Sequence, residues 1–378
     1  MSINYGFVST YPPTQCGLAS FTAALYHALT DAGEDAGRVV RLVEQRLPRP
    51  GAEVVAELVA GDPASLVNAA GRLNGCDVAI VQHEFGVYGG RDGAEVLELL
   101  ARLEVPTVVV LHTVRANPTA HQRHILEAVV ARAGAVVTMT DTARERLAAS
   151  HAVDTSKVWV IAHGAPALAP ASMVMDPVFR TGQATVLTWG LIGPGKGIEW
   201  GIEAMNLLGD LQPAPRYVIA GQTHPKVAAR DGEAYRDALG ERVRRLGLGA
   251  RVTFDGHYRD APALARLVAT ADIVLLPYDS TEQVSSGVLI EAVAAGKPVV
   301  ATAFPHAVEL LASGAGAVVA HRDPDAIAGA LRRVITRPDV AARMAAAAAG
   351  VAPRLRWSAV ADQYRELSSR LLGADVAA

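Results

Sequence analysis

Hydrophobic and polar positions along the chain follow the pattern of parallel α/β domains. Short runs that are apolar almost throughout are each followed by a longer stretch with helical periodicity. A strand covered by helices on both faces is apolar at nearly every position, so these runs predict buried parallel strands. In the first half of the chain the predicted strands are NYGFVST, RVVRLV, DVAIVQHE, TVVVLHT, AVVTMT and KVWVIAH.

The alternation of strand-like and helix-like stretches stops after His163. The next residues, GAPALAPASMVMDPVFRTGQ, are rich in proline and alanine and show no regular spacing of apolar positions. Such a stretch is typical of a link between domains. A second series follows, with predicted strands ATVLTWGLI, RYVIAG, RVTFDGH, DIVLLPY, PVVAT and GAVVA, and the chain ends in the amphipathic helix WSAVADQYRELSSRLL. We therefore predict two doubly wound parallel-sheet α/β domains, residues 1–170 and 171–355, with a helix in residues 356–378 that packs back on one of them.

Length and composition narrow the class of protein. The 378 residues exceed the ~250–300 at which single cores stop growing. Apolar residues make up 51% of the chain, which excludes disorder, and the net charge of −3 provides no basic field for nucleic acid. The two cysteines, the absence of a signal-peptide pattern and the lack of a run of ~18–20 apolar residues favour a soluble cytoplasmic protein. Peripheral contact with a membrane stays open.

The segment QVSSGVLIEA predicts a loop that enters a helix near Ser286. Free backbone N–H groups and the positive end of the dipole make a helix start an anion site, and Gly287 lets a ligand approach the backbone. Glu291 lies roughly 7–8 Å further along the axis at 1.5 Å per residue, about the span from a diphosphate to a ribose hydroxyl. The alternative is a serine N-cap followed by a solvated glutamate, and the motif alone does not decide between them.

A glycine-rich segment, WGLIGPGKG, follows another predicted strand. Gly190, Gly195 and Lys196 have the spacing of a phosphate-binding P-loop, but Gly197 stands where a Mg²⁺-binding hydroxyl belongs. This departure disfavours a Mg²⁺-dependent nucleoside triphosphatase, whereas a glycine turn that presents a lysine still suits a diphosphate. The alternative is a surface loop with a solvated lysine.

Other polar residues stand where predicted strands end. In the second half these are Thr223 and His224, a weak signal by themselves. In the first half His83, Glu84 and His112 are candidates for chemistry, although a structural role for His83 remains open. Gly17 opens the first predicted helix and is a further candidate for phosphate contact.

Two metal-like patterns are interpreted as structural. The His-x-x-His spacing of His121 and His124 has no obvious further ligand nearby and predicts a polar helix face. Asp323 and Asp325 form an Asp-x-Asp pattern, but an aspartate followed by proline and an apolar periodic run is typical of a helix start. We therefore predict no metal site.

Taken together, eight motifs occur in a specific order: STYPP…CGLASF, QHEFG, LHTV, HGAP, GLIGPGKGIE, GQTHP, Q-x-x-SG and HAVELL. Nearly the whole chain thereby resembles the family-four retaining nucleotide-sugar glycosyltransferases. The resemblance implies the GT-B fold, in which two Rossmann-like domains face each other across a cleft. It also implies that the second domain binds the nucleotide sugar, that the first binds the acceptor, and that the C-terminal helix returns to the first domain.

The resemblance assigns roles to individual residues. Lys196 and Gly17 would contact the diphosphate, Glu291 the ribose, and His112 would lie beside the transferred sugar, so catalysis is expected to depend on His112, Lys196 and Glu291. Further donor-binding residues would be Gly195, Thr223, His224, Gln283, Ser286, Gly287 and Val288, and His83, Glu84 and Arg115 would lie on the acceptor side. The chain departs from the family pattern at Leu191, where an arginine is usual, and at Gln283, where a glutamate is usual.

We therefore expect a retaining hexosyltransferase that uses a UDP- or GDP-sugar as co-substrate, needs no cofactor or metal, and acts on a hydroxyl acceptor. Two alternatives remain. A nucleotide-sugar epimerase has the same architecture and would convert its substrate without an acceptor. A non-catalytic nucleotide-binding regulator would bind nucleotide tightly and transfer no sugar.

Overall fold

The computed structural model describes residues 2–47, 51–166 and 182–373. The chain divides into two compact units, the first formed by Met1–Gly164 with Trp357–Ala378 and the second by Ala165–Arg356. Most of the predicted link after His163, with the predicted boundary at residue 170, lies outside the described residues.

The first unit is built on a seven-stranded parallel sheet in the order β3-β2-β1-β4-β5-β6-β7. Its strands are β1 (Asn4–Ser9), β2 (Ala36–Val43), β3 (Val54–Val59), β4 (Val78–His83), β5 (Thr107–Leu111), β6 (Ala135–Thr138) and β7 (Val158–Val160). Its helices are α1 (Gly17–Thr30), α2 (Pro63–Leu73), α3 (Glu95–Leu100), α4 (Ala120–Arg132), α5 (Asp141–Ser150) and, from the end of the chain, α14 (Trp357–Leu371). The six strands predicted for this half are confirmed.

The edge strand β3 was missed because its sequence, VVAELV, carries a glutamate among residues that also suit a helix. In the structure Glu57 is buried and accepts a hydrogen bond of 2.6 Å from Arg41, which is fully buried on β2. Arg41 also donates to the carbonyl oxygens of Pro12 and Leu47. The pair therefore ties two loops to the edge of the sheet.

The C-terminal helix α14 belongs to the first unit. Its apolar face buries Val360, Tyr364 and Leu367 in the same core as residues of α1 and the sheet. Arg365 fixes its position, since it binds the carboxylate of Asp35 at 2.8 Å and donates to two carbonyl oxygens near the end of α1.

The second unit is built on a six-stranded parallel sheet in the order β10-β9-β8-β11-β12-β13. Its strands, all predicted, are β8 (Thr185–Trp189), β9 (Arg216–Ala220), β10 (Val252–Asp255), β11 (Ile273–Leu276), β12 (Val299–Thr302) and β13 (Gly316–Val319). Its helices are α6 (Ile198–Asn206), α7 (Pro225–Asp231), α8 (Ala234–Arg245), α9 (Ala261–Thr270), α10 (Gly287–Ala294), α11 (Pro305–Leu311), α12 (Pro324–Thr336) and α13 (Pro338–Val351).

The predicted helix start at Asp323 is confirmed. Its carboxylate accepts a hydrogen bond from the backbone N–H of Ala326 at 2.8 Å, and Pro324 occupies the first helical position of α12. The Asp-x-Asp pattern is thus an N-cap.

Strand order reverses between β1 and β4 in the first sheet and between β8 and β11 in the second. Ligands of doubly wound sheets bind beyond the carboxyl ends of the strands at such points. In the second unit the segments that follow these two strands carry most of the predicted site residues. In the first unit Gly17 and Glu84 follow β1 and β4, whereas His112 and Arg115 follow β5.

Among the described residues no helix is both long and apolar enough to span a membrane.

Candidate functional site

The loop after β11 enters α10 at the serine that the sequence predicts. Ser286 caps the helix, since its Oγ accepts a hydrogen bond from the N–H of Leu289 at 3.3 Å. Its own N–H donates to Nδ1 of His306 at 2.8 Å. The N–H groups of Gly287 and Val288 have no acceptor among the described residues, as expected for the first turn of a helix. The start of α10 therefore offers two backbone donors to an anion.

Glu291 lies inside α10, one turn beyond these donors. Its Oε2 accepts a hydrogen bond from Nε1 of Trp189, the last residue of β8, at 3.2 Å. The side chain is partly buried, and burial raises the pKa of the carboxyl group to about 7 although the Trp189 hydrogen bond opposes the shift. Glu291 is thus held by the sheet and is not a freely solvated surface residue.

The glycine-rich loop between β8 and α6 has a backbone that suits glycine. Gly195 and Gly197 have φ of 86° and 60°. A Cβ at Gly197 would lie 1.8 Å from the carbonyl oxygen of Pro277, so only glycine fits there. The carbonyl oxygen of Gly195 accepts a hydrogen bond of 2.9 Å from the N–H of Asp279. The loop is therefore held against the segment that follows β11.

Lys196 projects from this loop over an aromatic ring. Its Nζ lies 4.3 Å from the ring centroid of Tyr278, which is buried and stacks on Phe304 with centroids 5.1 Å apart. A cation over an aromatic face is attracted by the ring quadrupole, which leaves the N–H groups able to bind an anion. Sequence reasoning missed Tyr278, although an aromatic residue just after β11 was a usable signal.

The loops after β8 and β9 run side by side. Ile192 and Thr223 form a parallel bridge, and the N–H of His224 donates to the carbonyl oxygen of Ile192 at 2.8 Å. Oγ1 of Thr223 donates to Glu233, so this hydroxyl is already engaged within the unit. His224 caps α7, and burial, with the charges of Lys226 and Lys196, lowers its pKa. A neutral His224 is therefore near the Lys196 ammonium.

Further contacts join these loops to α10. A Cβ at Gly190 would lie 3.6 Å from Cγ2 of Val288. Gln283 lies in the turn before the helix, where its Nε2 donates to the carbonyl oxygen of Ser285 at 3.0 Å. The second unit thus gathers its predicted residues at one edge of its sheet: Gly195, Lys196, Thr223, His224, Gln283, Ser286, Gly287, Val288 and Glu291.

In the first unit, Gly17 begins α1 after β1. The helix is capped by Cys16, whose Sγ accepts from the N–H of Ala19 at 3.4 Å. A Cβ at Gly17 would meet nothing within 4 Å, so the backbone there is open to a ligand. Like the start of α10, this turn has backbone donors that suit an anion.

His112 follows β5, and the residue as a whole is partly exposed. Its Nε2 lies 2.7 Å from Oε1 of Gln82 on β4. Burial, together with the neighbouring His163 and His83, lowers the pKa of His112 to about 3, so the ring is neutral at physiological pH. Gln82 was not predicted, although an amide inside the apolar run AIVQHE was a signal.

The three predicted acceptor-side residues have different environments. Oε2 of Glu84 accepts a hydrogen bond of 2.5 Å from Thr113, and the guanidinium of exposed Arg115 lies 5.9 Å from the ring of Phe85. His83 is 1% exposed, and neither ring nitrogen has a hydrogen-bond partner among the described residues. Burial lowers its pKa to about 4. The structure thus places His83 in the interior, where its ring lies 5.2 Å from that of Phe85.

His121 lies on α4, and its Nδ1 makes a 2.9 Å hydrogen bond with Oδ2 of Asp92, which precedes α3. Within residues 2–47, 51–166 and 182–373 no group of three or more histidine, cysteine or acidic side chains is placed to hold a metal ion.

Comparisons with known proteins give the family context. Residues 175–351 match the family model of the group 1 glycosyl transferases. The chain is 28% identical over 157 residues to a GDP-mannose-dependent α-(1-6)-phosphatidylinositol dimannoside mannosyltransferase of Mycobacterium tuberculosis, a match that covers 42% of this chain and 37% of that relative. It is 31% identical over 248 residues to a D-inositol 3-phosphate glycosyltransferase of Stackebrandtia nassauensis, covering 62% of this chain and 54% of that relative.

A solved structure extends the likeness to nearly the whole chain. Anabaena HepE in complex with UDP and glucose superposes with a TM-score of 0.74 at 17% sequence identity, over 97% of this chain and all of that one. The two parallel sheets of seven and six strands, together with this likeness, identify two Rossmann-like units of the GT-B fold. The match to the group 1 glycosyl transferases lies within the second of these units and spans less than half of the chain.

Proposed function

We propose that the protein is a retaining glycosyltransferase that moves a hexosyl group from a nucleoside diphosphate sugar to a hydroxyl acceptor without a metal ion. The observation that carries the proposal is the grouping at one sheet edge of the second unit. The free N–H groups of Gly287 and Val288 start α10, Glu291 lies one turn further on, and the loop that carries Lys196 contacts the same helix. These groups match a diphosphate attached to a ribose.

The chemistry follows from where charge develops. The bond between the anomeric carbon and the diphosphate oxygen breaks, and its electron pair stays on the diphosphate. The Lys196 ammonium and the two N–H groups of α10 are fixed before the reaction, and such preorganised donors stabilise the developing charge. They do so without a metal ion in this proposal, and a chelator should leave turnover unchanged.

Retention of configuration requires that the acceptor oxygen attack the face from which the diphosphate leaves. The acceptor oxygen then forms the new bond to the anomeric carbon, and its proton passes to the departing phosphate. Glu291 accepts hydrogen bonds from the ribose hydroxyls and takes no part in bond making. Proton NMR of the first-formed product distinguishes retention from inversion.

The donor is proposed as a UDP- or GDP-sugar, because one relative is GDP-mannose-dependent and one solved neighbour is in complex with UDP and glucose. The first unit is proposed to bind the acceptor, with Glu84, which follows β4, and Arg115, which follows β5, as contacts. The acceptor is a saccharide, a lipid-linked sugar or a small molecule with a free hydroxyl group.

One experiment tests the function. Purified protein is screened against UDP- and GDP-sugars for protection against thermal unfolding, and the protective sugar is incubated with and without hydroxyl acceptors. A ligand at 100 times its dissociation constant adds ~2.7 kcal/mol of stability. We expect protection by one donor class and transfer only when an acceptor is present. Conversion without an acceptor would indicate an epimerase, and protection without conversion across a broad acceptor panel would indicate a nucleotide-binding regulator.

A further inference from the structure

The segment after β12 carries His306, which opens the HAVELL motif and has no part in the reaction proposed above. Strands β11 and β12 are parallel neighbours in the second sheet, with Leu276 paired to Ala301. The segments that leave their carboxyl ends therefore lie side by side. Oγ1 of Thr302 donates to the carbonyl oxygen of Tyr278 at 2.6 Å and joins the two segments where the strands end.

His306 bonds to both ends of the turn that precedes α10. Its backbone N–H donates to the carbonyl oxygen of Gln283 at 3.3 Å, and its Nδ1 accepts from the backbone N–H of Ser286 at 2.8 Å. His306 and Ser286 are both buried, at 3% and 4% exposure. A buried N–H group that lacks an acceptor costs free energy, so the imidazole holds the backbone of Ser286 in this position.

The direction of this hydrogen bond fixes the form of the ring. A backbone N–H group only donates, so Nδ1 of His306 carries a lone pair and the proton of the neutral ring is on Nε2. An imidazolium has N–H groups at both nitrogens and could not accept from Ser286. The contact therefore requires a neutral ring.

The backbone beside His306 is itself held in place. Pro305 occupies the first position of α11, and the fully buried Phe304 stacks on the ring of Tyr278 with centroids 5.1 Å apart. The same Tyr278 ring lies against the ammonium of Lys196. Residues 304–306 thus support both the lysine and the helix start that the proposed diphosphate site combines.

We propose that His306 is a positioning residue for the anion site at the start of α10. Ser286 is the N-cap, so its backbone sets the direction of the N–H groups of Gly287 and Val288, which follow it. Because His306 holds Ser286, these two donors are oriented before a diphosphate binds. The inference rests on the proposed function, since it concerns the same diphosphate, and His306 acts through Ser286 without touching the ligand.

Nitrogen-15 NMR of the full-length protein without ligand tests the hydrogen bond itself. We expect Nδ1 of His306 to carry no proton at pH 7 and to show a scalar coupling across the hydrogen bond to the backbone nitrogen of Ser286. A proton on Nδ1, or the absence of that coupling, would overturn the proposal whichever nucleotide the protein binds.

Two variants of nearly equal size separate hydrogen bonding from packing. In His306→Asn, Oδ1 is bonded to Cγ as Nδ1 is in histidine and can accept from Ser286, whereas His306→Leu places a methyl group there. The turn of the leucine variant should relax to satisfy its N–H group, and the affinity for UDP or GDP should fall roughly 5- to 30-fold. The asparagine variant should stay within about 3-fold of the wild type.

Calorimetric titration with UDP and GDP measures these affinities, and urea denaturation reports the stability of each variant. His124→Leu, at an exposed histidine of α4, is the matched control and should bind as the wild type does. A leucine variant that is less stable but binds with unchanged affinity would show that His306 only packs, and equal losses in both variants would contradict the role of Nδ1. Either result would overturn the proposal. If the wild type bound neither nucleotide, the proposed function would fail first and this role with it.

Discussion

At the scale of single residues, Lys196 is positioned by an aromatic ring and not by a carboxylate. Its Nζ lies 4.3 Å from the Tyr278 centroid, and no carboxylate within the described segments forms an ion pair with it. A lysine already paired with an acid would have to break that ion pair before it could bind phosphate. Lys196 has no such ion pair to break.

Lys196→Ala should therefore lower kcat by ~10²–10³, the usual effect of removing one donor to a developing negative charge. The loop backbone is held by its own hydrogen bonds, so the fold should persist. Initial-rate kinetics with the protective donor measure the change, and Lys157→Ala in the first unit is the matched control. Near-normal turnover in Lys196→Ala would remove the phosphate assignment.

Glu291 gives donor binding a predictable pH dependence. Its pKa is raised from 4.5 to about 7, so half of the carboxyl groups are protonated near neutrality. The carboxylate accepts hydrogen bonds from a ribose more strongly than the acid does, so donor affinity should rise as pH increases from 6 to 8. Calorimetric titration at several pH values checks this, with Glu291→Gln expected to flatten the profile and Glu241→Gln to leave it intact. An unchanged slope in Glu291→Gln would contradict the assignment.

The same shift has the opposite effect on the stability of the free protein. Because the folded-state pKa lies above the ordinary value, the stabilising contribution of protonated Glu291 is lost as pH rises through about 7. Glu291→Gln should make the urea midpoint less sensitive to pH between 5 and 8. A pH dependence equal to that of the wild type would show that the carboxyl group titrates normally.

The sequence predicted the local features of the structure and not the contacts between distant segments. The helix start at Asp323 follows from local chemistry alone, because proline at the next position and an apolar period fix it. The hydrogen bond from Trp189 to Glu291 joins residues 102 positions apart, and the ring beneath Lys196 also comes from a distant segment. Such pairs depend on how strands are ordered in the sheet, which periodicity does not encode.

At the scale of elements, two glycines of the loop between β8 and α6 are required for different reasons, one for backbone conformation alone and one for conformation and packing. Gly195 has φ of 86° and open space around its Cα, whereas Gly197 has φ of 60° and lies against Pro277. Alanine at Gly195 meets only conformational strain of about 1–2 kcal/mol. Alanine at Gly197 meets that strain and a steric clash with backbone.

We therefore expect Gly197→Ala to lower the free energy of unfolding of the second unit by at least about twice as much as Gly195→Ala. Urea denaturation of both variants measures the difference. Equal losses would show that the loop does not pack against the segment after β11 as described.

Strand prediction succeeded where strands are apolar throughout and failed at the edge of the first sheet. β3 has one neighbour, and its Glu57 is buried only because Arg41 reaches it from β2. Nothing local to VVAELV reveals that partner. The missed element is thus the one whose burial depends on a long-range ion pair.

At the scale of the whole molecule, the two ends of the chain meet in one core. The phenol ring of Tyr364 on α14 is fully buried with residues of β1 and α1. Tyr364→Ala should lower the stability of the first unit by about 3–5 kcal/mol, as expected for a large buried aromatic, and Tyr258→Ala at an exposed site should have little effect. Thermal unfolding followed by calorimetry checks this. A loss confined to the second unit would contradict the assignment of α14 to the first.

The pattern of the sequence predicted two parallel α/β units, and the structure confirms both sheets. The sequence pattern does not predict the donor base, the sugar or the acceptor. The loops that distinguish similar ligands have no sequence motif that transfers from one protein to another. The diphosphate, in contrast, is common to any such donor, so its binding site can be proposed without knowing the base or the sugar.

A crystal structure of the protein with the protective nucleoside diphosphate would show where the diphosphate binds. We expect its oxygens within hydrogen-bond distance of the N–H groups of Gly287 and Val288 and of Nζ of Lys196, with a ribose hydroxyl on Glu291. A diphosphate bound elsewhere, with those N–H groups and that ammonium facing solvent, would contradict this expectation.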